Sequence, residues 1–138
     1  MIIRVLLLLT LLSSCSSNQL NRKTVNQSKF NYKLEDLTRI FDKAIKSNIN
    51  ENDINEYNKN MQRYLEKDYD GQKNHFKSKD GLLNVKFELK DSFKIVSKNM
   101  YCREYFQKIE YKTEIIKHSG VACRKSAYSW KNLILLTK

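Results

Sequence analysis

The chain contains no proline, only three glycines (Gly71, Gly81 and Gly120), one tryptophan and two histidines. With proline absent and glycine scarce, tight turns with positive φ are few, and each glycine marks a point where the backbone needs freedom or close approach. Gly71 and Gly81 bracket a segment boundary. Also missing are a Gly-x-Ser-x-Gly elbow, a phosphate-cradling loop, a His-Glu-x-x-His helix and a reactive Cys–His pair. The sequence therefore predicts no enzyme, no catalytic residue and no small-molecule substrate. Acid is in short supply, 15 Asp and Glu against 26 Lys and Arg, which leaves a net charge of +11. The lysines are scattered among asparagines and isoleucines, with no arginine-rich run and no nucleic-acid module, so nucleic acid is not the expected partner. Solvated lysine is the first reading. The alternative is a basic binding module for an anionic polymer such as lipopolysaccharide or nucleic acid, since a surface of one sign attracts the opposite polyion.

What the chain does have begins at its amino end. Met1 and Arg4 precede an apolar run from Val5 to Leu9, and Leu12-Ser13-Ser14-Cys15 follows. This segment has the charged start, short apolar core and small-residue exit of a secretory signal, and is too short for a bilayer core of about 30 Å. The Leu-Ser-Ser-Cys ending resembles the export signal of bacterial lipoproteins. That resemblance implies diacylglycerol on the sulfur of Cys15, cleavage after Ser14 and acylation of the new amine. No other cofactor is implied, and no metal. Several chains at about 0.8 kcal/mol per buried methylene anchor a protein stably. Ser16 stands where related lipoproteins retained at the inner membrane carry aspartate, so the outer membrane is the expected location. An ordinary secreted signal with a chance cysteine, or an uncut hydrophobic anchor, are the other readings.

The expected organisation is a signal at 1–14, a lipidated polar tether at 15–29 and one domain at 30–138. Loss of the first 14 residues leaves 124 residues with one core, and loss of Arg4 lowers the charge to +10. Within the domain the expected fold class is α+β: two N-terminal helices, in 30–72, packed on a C-terminal antiparallel meander of about four to five strands, in 80–138. Leu34, Leu37, Ile40, Phe41, Ala44 and Ile45 recur at helical spacing from Lys33 to Lys46. Asn50 caps a second helix, striped by Ile54, Tyr57, Met61, Tyr64 and Leu65 and closed by Asp70-Gly71. After Gly81 the period becomes two: Leu83, Val85, Phe87 and Leu89 alternate with polar residues. Further strands are predicted at Ser92–Ser97, Met100–Tyr111, Glu114–Arg124 and Ser129–Thr137.

With Cys15 given to lipid, Cys102 and Cys123 remain, and in an oxidising compartment a disulfide is the expected outcome. A zinc site would need close-spaced ligands, and His75 and His118 stand apart from any such pattern. A two-residue loop at Lys112-Thr113 sets Tyr111 against Glu114, Ile109 against Ile116, Tyr105 against Gly120 and Cys102 against Cys123, a non-hydrogen-bonded pair with Cα atoms about 4.5 Å apart. Lys108 then opposes Lys117, a like-charge contact, and a four-residue loop in the same register is the alternative.

Tyr101-Cys102-Arg103-Glu104-Tyr105, Gly120-Val121-Ala122-Cys123-Arg124 and Ser129-Trp130-Lys131 together resemble the C-terminal domain of the 17 kDa surface antigen family, outer-membrane lipoproteins of rickettsiae and other proteobacteria. The resemblance implies a β-rich C-terminal domain, its disulfide topology and an envelope location. The family's glycine-rich stretch is missing here, and the family lends no defined biochemical activity. Arg103, Tyr105, Arg124 and Trp130 form the candidate binding surface, because tyrosine, tryptophan and arginine concentrate at hot spots; the competing role for them is cross-strand pairing within the sheet. The expected function is a non-enzymatic outer-membrane lipoprotein, tethered to the membrane by lipid and binding another envelope protein.

Overall fold

The computed structural model describes residues 31–136 and the backbone of Lys23–Val25. Cys15, and with it the signal and lipid readings, lies outside the described residues.

In chain order the elements are β1 (Lys23–Val25), β2 (Tyr32–Glu35), α1 (Arg39–Ala44), α2 (Glu51–Lys67), β3 (Lys73–Lys77), β4 (Leu83–Ile95), β5 (Met100–Tyr111), β6 (Glu114–Ser126) and β7 (Ser129–Leu135). The strands form one seven-stranded sheet in the order β1-β4-β5-β6-β7-β2, with β3 also on β4. Every pairing is antiparallel except β1 on β4, which is parallel. The outer edge of β4 is shared, Asn84 to Glu88 pairing with β3 and Phe93 to Ile95 with β1.

This corrects the expected fold class. The described residues are largely β with one substantial helix, not two N-terminal helices on a meander. Leu34 and its neighbours leave the predicted first helix because β7 offers them an unpaired edge: Leu34 aligns with Leu133, and Glu35 with Asn132. A free sheet edge with unmet N–H and C=O groups is a stronger partner than a short helix with no side-chain cap, and α1 shrinks to six residues behind an uncapped Thr38. β3 was not anticipated, because Lys73–Lys77 contains one apolar side chain, Phe76, and no alternation. The strands expected at 83–89 and 92–97 are one strand, kinked by a bulge at Lys90-Asp91, where two residues face Glu104 alone. Lys23–Val25, within the stretch read as a tether, is paired into the sheet.

The second helix begins and packs as its sequence implies, but ends at Lys67, with Asp70-Gly71 in a turn beyond it. The Asn50 side chain accepts a hydrogen bond from Asn52 N at 2.8 Å, Glu51 and Asp53 sit at the positive end, and Lys67 at the negative end. Its buried face, Tyr57, Met61, Tyr64 and Leu65, packs on Leu83, Val85, Phe87, Leu89, Tyr105 and Ile109 of the sheet. A second, smaller cluster lies on the opposite side: Ile95, Met100 and the Cys102–Cys123 disulfide, whose Cα atoms are 4.0 Å apart, flanked by Leu34, Phe93, Val121 and Leu133. The predicted hairpin register is present in full, with Lys112-Thr113 as the two-residue loop and Lys112 at φ 53°.

Candidate functional site

The sheet's period of two places Arg103, Tyr105, Arg124 and Trp130 on the face that α2 covers. Three of them converge. Arg103, Arg124 and Trp130 line a cleft of about 290 Å³ at the C-terminal end of α2, together with Glu66, Tyr69, Asp70, Ser92 and Tyr101.

Arg103, only 7% exposed, spends its guanidinium internally. Nη1 donates to the Leu65 carbonyl at 2.7 Å, Nε to Ser92 Oγ at 2.9 Å and Nη2 to Asp70 Oδ1 at 3.2 Å. A helix leaves its last carbonyls without partners, and a cation placed there satisfies one and complements the dipole. Asp70 in turn accepts from the Ser92 backbone and hydroxyl at 3.0 and 2.6 Å, tying the segment after α2 to the bulge of β4. Burial pushes the Asp70 carboxyl up, but these hydrogen bonds and the Arg103 charge outweigh it and hold it below its ordinary value.

Glu66 is the second anchor. It accepts from Arg124 Nη2 at 2.6 Å, Trp130 Nε1 at 2.7 Å and the Tyr128 backbone at 3.1 Å. Burial again acts upward on its carboxyl and is outweighed by those donors, so Glu66 is held low. One turn earlier, Gln62 exchanges two hydrogen bonds with the Trp130 backbone, accepting from its N–H at 2.7 Å and donating to its carbonyl at 2.9 Å. β2 pairs with β7 only from Asn132 onward, so an amide side chain stands in for the missing strand at Trp130.

Tyr105 lies apart from the cleft and is 3% exposed, with its hydroxyl donating to Asn132 Oδ1 at 2.6 Å. Beside it a buried polar chain runs from Tyr57 Oη, which donates to Gln107 Oε1 at 2.8 Å, to Gln107 Nε2, 3.2 Å from His118 Nδ1. Burial, then the nearby Lys43 charge, holds His118 below its ordinary value, and burial raises both tyrosine hydroxyls well above theirs. His118 and Glu104 occupy opposite faces of the sheet, so no site assembles from the two. Among the described residues no cluster of three or more His, Cys, Asp or Glu side chains is placed to hold a metal ion.

The side chains that organise this region, Gln62, Glu66, Asp70, Ser92, Gln107 and Asn132, were not anticipated. Gln62 and Glu66 carry a usable signal: they stand four apart on α2, beside its apolar stripe and on one face. The others have none, because each partner is brought near by the fold. What remains accessible at the rim is Arg124, Asp70 and Tyr69, the last at 73% exposure; Tyr128, 49% exposed, stands beside the cleft with its backbone N–H on Glu66. No family model, curated protein or solved structure matches the chain.

Proposed function

We propose that this chain is a non-enzymatic lipoprotein of the outer membrane, carried there by the signal ending at Ser14, held by lipid on Cys15, and binding another envelope component. The observation that carries the reading is the Leu12-Ser13-Ser14-Cys15 motif at the end of the apolar run. The Cys102–Cys123 bridge supports it, because a structural disulfide belongs to an oxidising compartment outside the cytoplasm. The likeness of residues 101–131 to the 17 kDa surface antigens agrees in location.

The four residues first considered for binding divide by accessibility. Arg103, Tyr105 and Trp130 are committed inside the molecule, so the surface left for a protein partner is Tyr69 and Arg124 on the rim of the cleft, with Tyr128 beside it. These are the residue types that dominate interface energetics, set around a shallow depression.

The intact mass of protein from native membranes tests the anchor. The expected mass lacks residues 1–14, gains acyl chains and lacks two hydrogens at the remaining cysteines; radiolabelled palmitate enters wild type and not Cys15→Ser. A full-length mass with three free thiols overturns the reading. For the partner, a tagged mature form is isolated from mild detergent, and replacement of Tyr69 and Tyr128 by serine is expected to abolish co-isolation of an envelope protein. Recovery of the bare protein in both cases removes the partner.

A further inference from the structure

The sheet face turned away from α2 carries a charge pattern that the registers make explicit. His75, Lys86, Lys108 and Lys117 stand directly opposite one another across β3, β4, β5 and β6. Neighbouring strands are about 4.8 Å apart, so three lysines share a width of about 10 Å. Like charges directly opposite in a sheet repel. Relief on this face is partial: Glu110 binds Lys108 at 2.6 Å and also acts on Lys86, Glu88 stands opposite Lys73 and acts on it, and Lys117 has no ion pair among the described residues. Lys73 and Lys77 flank the row on β3.

The face is open. Lys73, Lys77, Lys86 and Lys117 are exposed, and no described element packs over them. Lys73, Lys86, Lys108, Glu88 and Phe106 border a hollow of about 420 Å³, three cations to one carboxylate, and Ile115 beside the row is 61% exposed. Cations around a shallow apolar floor fit a membrane interface, where headgroup phosphates meet acyl chains.

We infer that this lysine face docks on an anionic lipid surface. The length of chain ahead of the sheet favours that occupant. Cys15 precedes Lys23 by eight residues, at most about 29 Å of extended chain, and Lys23 aligns with Phe93 on β4, the strand that carries Lys86. A lipid on Cys15 therefore keeps the face within reach of the bilayer, raising its effective concentration there. This rests on the proposed lipidation only for what brings the surface close; attraction to anionic lipid comes from the lysines alone. Single-stranded nucleic acid fits less well, because these rungs hold one phenyl ring where successive bases need a row of stacking platforms.

The test uses the full chain carrying Cys15→Ser, partitioned between buffer and vesicles of phosphatidylcholine, with and without phosphatidylglycerol. The ratio of the two partition coefficients cancels any uncharged contribution from the apolar N-terminal segment. Each lysine at an anionic surface is worth about fivefold. Lys117→Gln, on the exposed edge of β6, should lower the ratio about fivefold, and Lys86→Gln/Lys108→Gln/Lys117→Gln roughly a hundredfold. The matching arginine triple variant should retain it. An unchanged ratio in Lys117→Gln and the glutamine triple variant, loss of the ratio in the arginine variant, or tighter lysine-dependent binding to a single-stranded oligonucleotide than to anionic vesicles overturns the inference. Acylation is read separately by mass, so the failure of one leaves the other standing.

Discussion

Tyr105 lays its ring against Gly120 so closely that a Cβ on Gly120 would meet the phenol oxygen at 2.7 Å and the adjacent ring carbon at 2.8 Å. The ring cannot retreat, because it stacks on Phe87 at 5.3 Å and its hydroxyl donates to Asn132. Gly120 is required here for space. Gly120→Ala should destabilise the fold by about 1–3 kcal/mol through overpacking, read as a lower urea midpoint.

Arg103 is expected to act on stability rather than on binding. Arg103→Met leaves the Leu65 carbonyl without its side-chain donor and Asp70 with its two Ser92 donors but no cation, and should cost about 2–3 kcal/mol, given the usual range for hydrogen bonds to charged groups. Arg103→Lys keeps the charge but not the three-directional fork, and should recover only part of the loss in denaturant unfolding.

Asp53 gives the stability a pH dependence. It is 4% exposed near Asp80, with Oδ2 lacking any donor, and burial followed by Asp80 pushes its carboxyl from 3.8 up to about 6. The folded state therefore binds this proton more tightly than the unfolded chain. Its contribution is complete below about pH 4 and is lost as pH rises through about 6. Asp53→Asn should raise the unfolding midpoint at pH 7.5 and flatten the slope between pH 4 and 6. Glu35 works in the opposite sense: hydrogen bonds from Lys33 and Lys43, each at 2.6 Å, bring it down to about 2, so its contribution is present above its ordinary value of 4.5 and lost as pH falls toward 2.

Reduction of the bridge should weaken the domain without changing its register. Cys102 and Cys123 close a loop with a sequence separation of 21, for which the chain-entropy model gives roughly 3 kcal/mol. Cys102→Ser/Cys123→Ser should lower the urea midpoint accordingly and abolish its sensitivity to dithiothreitol.

Much of the β5–β6 hairpin was legible in the sequence, because a two-residue loop and a period of two leave one register, and that register aligns both cysteines, Tyr105 with Gly120 and Lys108 with Lys117. α2 was legible for the same kind of reason: Asn50 and the stripe from Tyr57 to Leu65 are local signals, although the helix ends at Lys67 and not at Asp70-Gly71, which form a turn beyond it. The candidate site was only half legible. Residue type singled out Arg103, Arg124 and Trp130, but their roles depend on Leu65, Glu66 and Gln62, which approach from tens of residues away.

Local periodicity, then, determined the main helix and the disulfide hairpin, since both rest on neighbours a few residues apart or on one loop. Tertiary structure alone decided that Tyr32–Glu35 and Lys73–Lys77 are strands, that Lys23–Val25 runs parallel to β4, and that Lys86 and His75 join the Lys108–Lys117 pair in one line. Those outcomes depend on which sheet edges are left open once the hairpin and α2 are in place, and an open edge is a property of the assembled backbone that no short segment carries in its own residues.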